Sequence, residues 1–237
     1  MLQEVCADHP QISISHESKA FVKTGYDFPV YFRALRKPSH PLGIFSKNKL
    51  VNHIYFWRLV IKLIASNYRN VTIADVHKAY HSLFPGAALV GDKYPNYLWQ
   101  LKELTTYEGI RIVIIYRDGR DVAQSIYARV LTDWKDKKWA KKKYNSFTNI
   151  AIRWVQAIEV MEEYADQIHI IRYEEFVTHP EVELARLADY LSIDPAGFQP
   201  SMISSRSIGK FKEMLTKQQL GEFLAVAGPM LKRLGYT

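Results

Sequence analysis

Arg117 and Ser125 stand eight residues apart in the stretch YRDGRDVAQS, which follows directly on the apolar run RIVII at 111–115. A guanidinium placed where a strand ends offers a planar fork of donors that matches a phosphate. Gly119 is expected to permit a sharp turn there, and a helix beginning near Arg120 would present unpaired N–H groups and the positive end of its dipole. Ser125 falls on the inner face of that helix, with Arg129 four residues further along the same face. The competing account makes Asp118 a helix cap, Arg120 and Asp121 surface charges, and Ser125 a small packing residue. The residues alone favour neither.

Other groups invite the same weighing. Lys93 follows the apolar run AALVG (87–91), as a compact cation with rotatable donors. GAALVGDK at 86–93 nearly spells a phosphate loop, but its middle is an apolar strand and Asp92 intervenes before the lysine, so that motif is rejected. His77 and His81 have the i, i+4 spacing of a helical metal pair without a visible third ligand. DWKDKKWAKKKY at 133–144 interleaves tryptophans with lysines, and its first account is a solvated helix face.

The elements that must position these groups are legible as alternation. Four short apolar runs, QISIS (11–15), AALVG, RIVII and IHIIRY (168–173), are separated by helical patterns near 48–68, 73–84, 96–107, 120–131, 145–166, 180–191 and 216–233. Such alternation predicts an α/β three-layer sandwich, a central parallel sheet flanked by helices, with its ligand site at the strands' C-terminal ends. The 237 residues suit a single domain, and the segment 24–85 is predicted to be a mostly helical insertion. A net charge of +8 favours an anionic partner without choosing one. The single cysteine, Cys6, excludes an intrachain disulfide framework and a cysteine-based zinc site. No signal-peptide pattern opens the chain and the most apolar stretch, 50–68, carries His53, Arg58 and Lys62, so the expectation is a cytoplasmic protein without a transmembrane segment.

The stretch at 116–125 resembles the 3′-phosphate-binding motif of sulfotransferases that use 3′-phosphoadenosine 5′-phosphosulfate, in which an arginine closes a strand and a serine eight residues later sits on the helix. HPQISISHESKAF (9–21), GDKYP (91–95), IHIIRYEEFVTHPEVELARLADYLSI (168–193) and SIGKFKEMLTKQQLGEFLAVAGPMLKRLGY (207–236) resemble further family segments in the family's order. The resemblance implies a P-loop-like fold that transfers a sulfuryl group to an acceptor hydroxyl or amine without a metal. It implies Glu17 as general base, with His16 as a second candidate and Lys19 at the same mouth. It implies Lys93 at the donor's bridging oxygen, Arg117 and Ser125 at the 3′-phosphate, and Tyr173 at the adenine. Gly209 and Lys210, with Arg206 beside them, would close over the nucleotide. Each has a plainer account: a helix-end glutamate, a loop lysine, a core tyrosine, a helix-flanking loop.

One family piece is not found in the sequence: the first strand and the glycine-rich loop whose N–H groups grip the 5′-phosphosulfate. Either Met1 is an internal methionine of a longer protein, or this is a short form that binds nucleotide or a partner without transferring anything. The alternatives are a catalytically dead nucleotide-binding or scaffold protein of the same fold and a P-loop-type nucleotide kinase, the latter calling for a glycine-rich loop with Lys-Ser/Thr and a magnesium-binding acid that are not evident in the sequence. A nucleic-acid partner is unexpected. The acceptor is a small molecule, carbohydrate, lipid or peptide.

Overall fold

The β-branched runs form strands because their side chains favour extended backbone, and each pairs in parallel with a run far along the chain. The computed structural model of the chain describes residues 1–16, 73–84, 86–205 and 207–236. The predicted helix at 48–68 and most of the 24–85 insertion lie outside the described residues. Backbone contacts divide the chain into two compact units, Met1–Gln100 with Ala188–Met202 and Leu101–Leu187 with Ile203–Thr237.

In the first unit, helix α1 (Leu2–Asp8) leads into strand β1 (Ile12–His16). Helix α2 (Ile73–Leu83) precedes strand β2 (Leu89–Lys93) and packs on it. The strands run parallel in a register that pairs Ile12 with Leu89 and His16 with Lys93. β2 thus extends two residues past the predicted AALVG run, because ladder bonds continue through Asp92 and Lys93 although their side chains are polar. GAALVGDK is strand from Leu89 to its last residue, where a phosphate loop would be irregular. His9, 1% exposed, fixes the turn between α1 and β1. Its Nδ1 accepts from the Gln11 N–H at 3.1 Å and its Nε2–H donates to the Asp194 carbonyl at 2.8 Å. A Cβ on Gly197 would sit 2.3 Å from that Nε2. The His-Pro of the sequence is thereby an anchor of the fold.

The second unit opens with helix α3 (Leu101–Leu104) and strand β3 (Val113–Tyr116), which continues into helix α4 (Gly119–Leu131). Helices α5 (Lys138–Lys143) and α6 (Phe147–Glu163), strand β4 (His169–Arg172) and helices α7 (Tyr173–Thr178) and α8 (Pro180–Leu191) follow, α8 ending past Leu187 in the other unit. Helices α9 (Phe211–Met214) and α10 (Lys217–Arg233) close the chain. β3 and β4 are parallel, Tyr116 lying opposite Arg172. The core is built where α6 meets α4 and α10. Phe147, Ile150, Ala151, Trp154, Ile158 and Met161 form one buried stripe at helical spacing, facing Phe223, Ala227, Met230 and Leu231 of α10. Ser146 caps α6 through the Asn149 N–H, and Thr216 with Gln219 closes a capping box on α10. The described residues therefore give the predicted α/β class, parallel strands flanked by helices, with hydrogen bonds grouping the strands into two pairs.

Candidate functional site

β3 ends at Tyr116, so Arg117 is the first residue beyond the strand, and Asp118 begins the helix. The Asp118 carboxylate accepts from the Arg120 N–H at 2.8 Å, the cap expected of it. Gly119 plays a different part from the one its sequence suggested. Its φ is not positive, so no turn requires it; instead a Cβ there would meet the Trp154 ring at 2.6 Å and Phe223 at 2.8 Å. The glycine lets α4 approach α6 and α10 closely, and Trp154 Nε1–H then donates to the Arg117 carbonyl at 3.1 Å.

Around Arg117 the structure brings together residues scattered through the unit. Its guanidinium lies 4.8 Å over the Tyr173 ring, the first residue of α7. Nη2 donates to the Ser207 carbonyl and sits 2.9 Å from Asp121 Oδ2, while the buried Nε–H has no acceptor. Asp121, wholly buried, also accepts from the backbone N–H groups of Gly209 (2.8 Å) and Phe211 (3.0 Å). One carboxylate thus ties the helix N-terminus to a segment about ninety residues on. Gly209 makes this possible with φ +74°, a conformation that side-chain-bearing residues rarely adopt. Asp121 is not the surface charge of the plainer account. It is the residue sequence reasoning missed, since its partners are remote in the chain.

A second carboxylate, Glu174, completes the corner. It accepts from the Asp118 N–H at 2.9 Å and from the Tyr236 hydroxyl at 2.8 Å. Arg120 holds Asp118 at 2.7 Å and lies 4.4 Å over the Phe211 ring, while Arg172 lies 4.2 Å over the Tyr236 ring. These residues border a recess of about 200 Å³. Burial, reinforced by the bond to Glu174, pushes the Tyr236 hydroxyl well above its ordinary pKa.

The other predicted residues fall out as follows. Ser125 is half-buried on α4, four residues beyond Asp121 on one helix face. Arg129 is exposed and turns to Trp134, 5.5 Å from that ring. Lys210 is exposed at the start of α9. Lys93 is the last residue of β2, in the first unit. Glu17, Lys19 and Arg206 lie outside the described residues. His77 and His81 stack edge to face at 4.4 Å, and burial lowers the pKa of His77. Among the described residues no cluster of three or more His, Cys, Asp or Glu is placed to hold a metal.

The arrangement is a strand-end arginine with one buried donor open, an aromatic ring beneath it and a glycine-opened segment beside it. The family model of the sulfotransferase family matches residues 1–196, more than four fifths of the sequence. The chain belongs to the sulfotransferase family. That match carries Lys93, Arg117, Ser125 and Tyr173 and stops short of the 207–236 segment. Among solved structures, a sulfotransferase from Alicyclobacillus acidocaldarius is similar at 18% identity, covering 96% of this chain and 90% of that one with a TM-score of 0.46. No curated protein matches the chain.

Proposed function

We propose that the chain moves a sulfuryl group from 3′-phosphoadenosine 5′-phosphosulfate to a hydroxyl or amine of a small-molecule, carbohydrate, lipid or peptide acceptor, its whole length acting as one domain. The observation that carries this is Arg117 itself, closing a strand in a family member with a buried Nε–H that has no acceptor. Arg117 and Ser125 hold the 3′-phosphate. Asp121 does not disqualify Arg117 from that role, because its charge is shared with the Gly209 and Phe211 N–H groups. Tyr173 packs the adenine, and Gly209 with Lys210 closes over the nucleotide. Glu17 takes the acceptor's proton as the new S–O or S–N bond forms. The bond from sulfur to the bridging oxygen breaks in line, and Lys93 offsets the charge left on the departing phosphate.

Thermal unfolding in the presence of adenosine 3′,5′-bisphosphate, with 5′-AMP as control, tests the phosphate half of this site. Saturation at a hundredfold excess over Kd stabilises the native state by about 2.7 kcal/mol. Ser125→Ala is expected to weaken bisphosphate binding about tenfold, the worth of one charge-assisted hydrogen bond. Equal shifts with 5′-AMP, or no shift with either nucleotide, would overturn the assignment.

A further inference from the structure

The segment that follows α4 takes no part in the proposed reaction, and it combines two properties that protein surfaces normally keep apart. Six of the nine residues from 135 to 143 are lysine, and across 129–144 only Asp133 and Asp136 oppose them. Amid this charge Trp139 is 52% exposed and Leu131 56% exposed. Burial of Ala140 and the bond from the Tyr144 N–H to the Ala140 carbonyl hold α5 in place, so the neighbouring Trp139 is presented rather than loose.

The rings of the segment pack on one another. Trp134 lies 5.2 Å from Trp139, stacks on Tyr144 at 5.9 Å with an interplanar angle of 20°, and has Arg129 5.5 Å away. A single-stranded nucleic acid requires a row of open aromatic faces for its bases; within this cluster only Trp139, which also meets Tyr144 edge to face at 6.5 Å, is more than half exposed. An indole and a leucine amid flexible lysine stems match instead the boundary between headgroups and acyl chains of an anionic bilayer. We propose that residues 129–144 dock this chain on such a surface, Trp139 and Leu131 entering the boundary while the lysines meet acidic headgroups. The mode is to lie on the membrane. No helix among the described residues is long and apolar enough to cross one. The docking is independent of the reaction proposed above.

Flotation of the full chain with vesicles of phosphatidylcholine alone, or mixed with phosphatidylserine, is the test. Binding is expected with the mixed vesicles only. Trp139→Ala should weaken it about tenfold by removing the buried apolar area. The double variant K141E/K142E should weaken it at least about twentyfold, near a fivefold factor for each lysine lost. Both variants alter exposed positions, and their unchanged melting curves would certify the fold. No binding to either vesicle, or equal binding to both, overturns the proposal. So does mixed-vesicle binding that Trp139→Ala leaves unchanged, which would mark a general polyanion surface that heparin or single-stranded DNA fills equally well.

Discussion

At the N-terminal end of α4 the charges are inside; past its C-terminal end they are in water. Asp118 and Asp121 are 6% and 0% exposed, and the two arginines beside them are each in an ion pair while lying over a ring. Beyond Leu131, Lys135, Lys137, Lys138, Lys141 and Lys142 are exposed, and the ring contacts of this end are the looser ones of Arg129 and the half-buried Lys143, at 5.5 and 5.6 Å. The same residue types therefore act differently according to what desolvates them. Where a carboxylate is buried with three donors, charge enforces one arrangement of remote segments. Where lysines are wet, charge contributes little to folding and remains available to a partner.

The severest way to break this contrast is to remove Asp121. Asp121→Ala leaves the Gly209 and Phe211 N–H groups and the Arg117 guanidinium without their shared acceptor. Breaking such a buried pair costs about 3–5 kcal/mol, measured as a shift in the urea-unfolding midpoint at constant slope. Asp121→Asn keeps one acceptor oxygen and should lose about half as much, which preserves the test if the alanine variant does not fold. A loss below about 1 kcal/mol for Asp121→Ala would place this corner among ordinary surface charges and end the distinction between the two ends of the helix.

How much of this was legible in the sequence follows from the same contrast. The strands could be read because β-branched runs act locally, and even there the polar tail of β2, Asp92 and Lys93, hid two residues of ladder. α7 was hidden because IHIIRY reads as one strand through Tyr173, whereas the chain turns helical there with Glu174 and Glu175 in the first turn. Arg117 and Ser125 could be paired as candidates because only eight residues separate the strand's end from the helix face. The roles of Asp121 and Gly119 were not legible because their reasons lie elsewhere in the chain: N–H groups near residue 210 for one, the Trp154 and Phe223 rings for the other. Sequence spacing reports what one helix face holds together. It says nothing of a carboxylate whose partners arrive from another segment.

A milder variant sharpens the contrast on the buried side. Tyr236→Phe deletes the hydroxyl that donates to Glu174 and leaves that carboxylate its bond from the Asp118 N–H. The cost is about 1.5 kcal/mol near neutral pH, the low end for a hydrogen bond to a charged group. The pH dependence carries more information. Because the folded-state pKa of Tyr236 is raised above 10.0, its contribution is fully present below pH 10 and is lost as pH rises further, the unfolded chain releasing the proton first. Tyr236→Phe should flatten that alkaline limb. Cys6, which burial pushes up to about 12, adds a limb of the same sign from pH 9, so both proteins must retain it. An unchanged limb would mean that the hydroxyl is not buried against Glu174 in solution.

The smallest effect is expected at the wet end, and it is the one that isolates the principle. Arg129 has a charge and an aromatic neighbour, as Arg117 and Arg120 do, but it is exposed and its guanidinium stands 5.5 Å from Trp134. An exposed contact of that kind contributes about 0.5 kcal/mol, and the favourable position in the last turn of α4 a similar amount. Arg129→Gln should therefore lower stability by less than about 1 kcal/mol, with its small effect shrinking further at high salt. If urea unfolding instead reported a loss rivalling that of Asp121→Ala, residues 129–144 would belong to the cooperative core, and their lysines would be held in place by the fold itself. A small loss leaves those lysines a charged face that folding does not need, which is the condition for a surface to be free to bind.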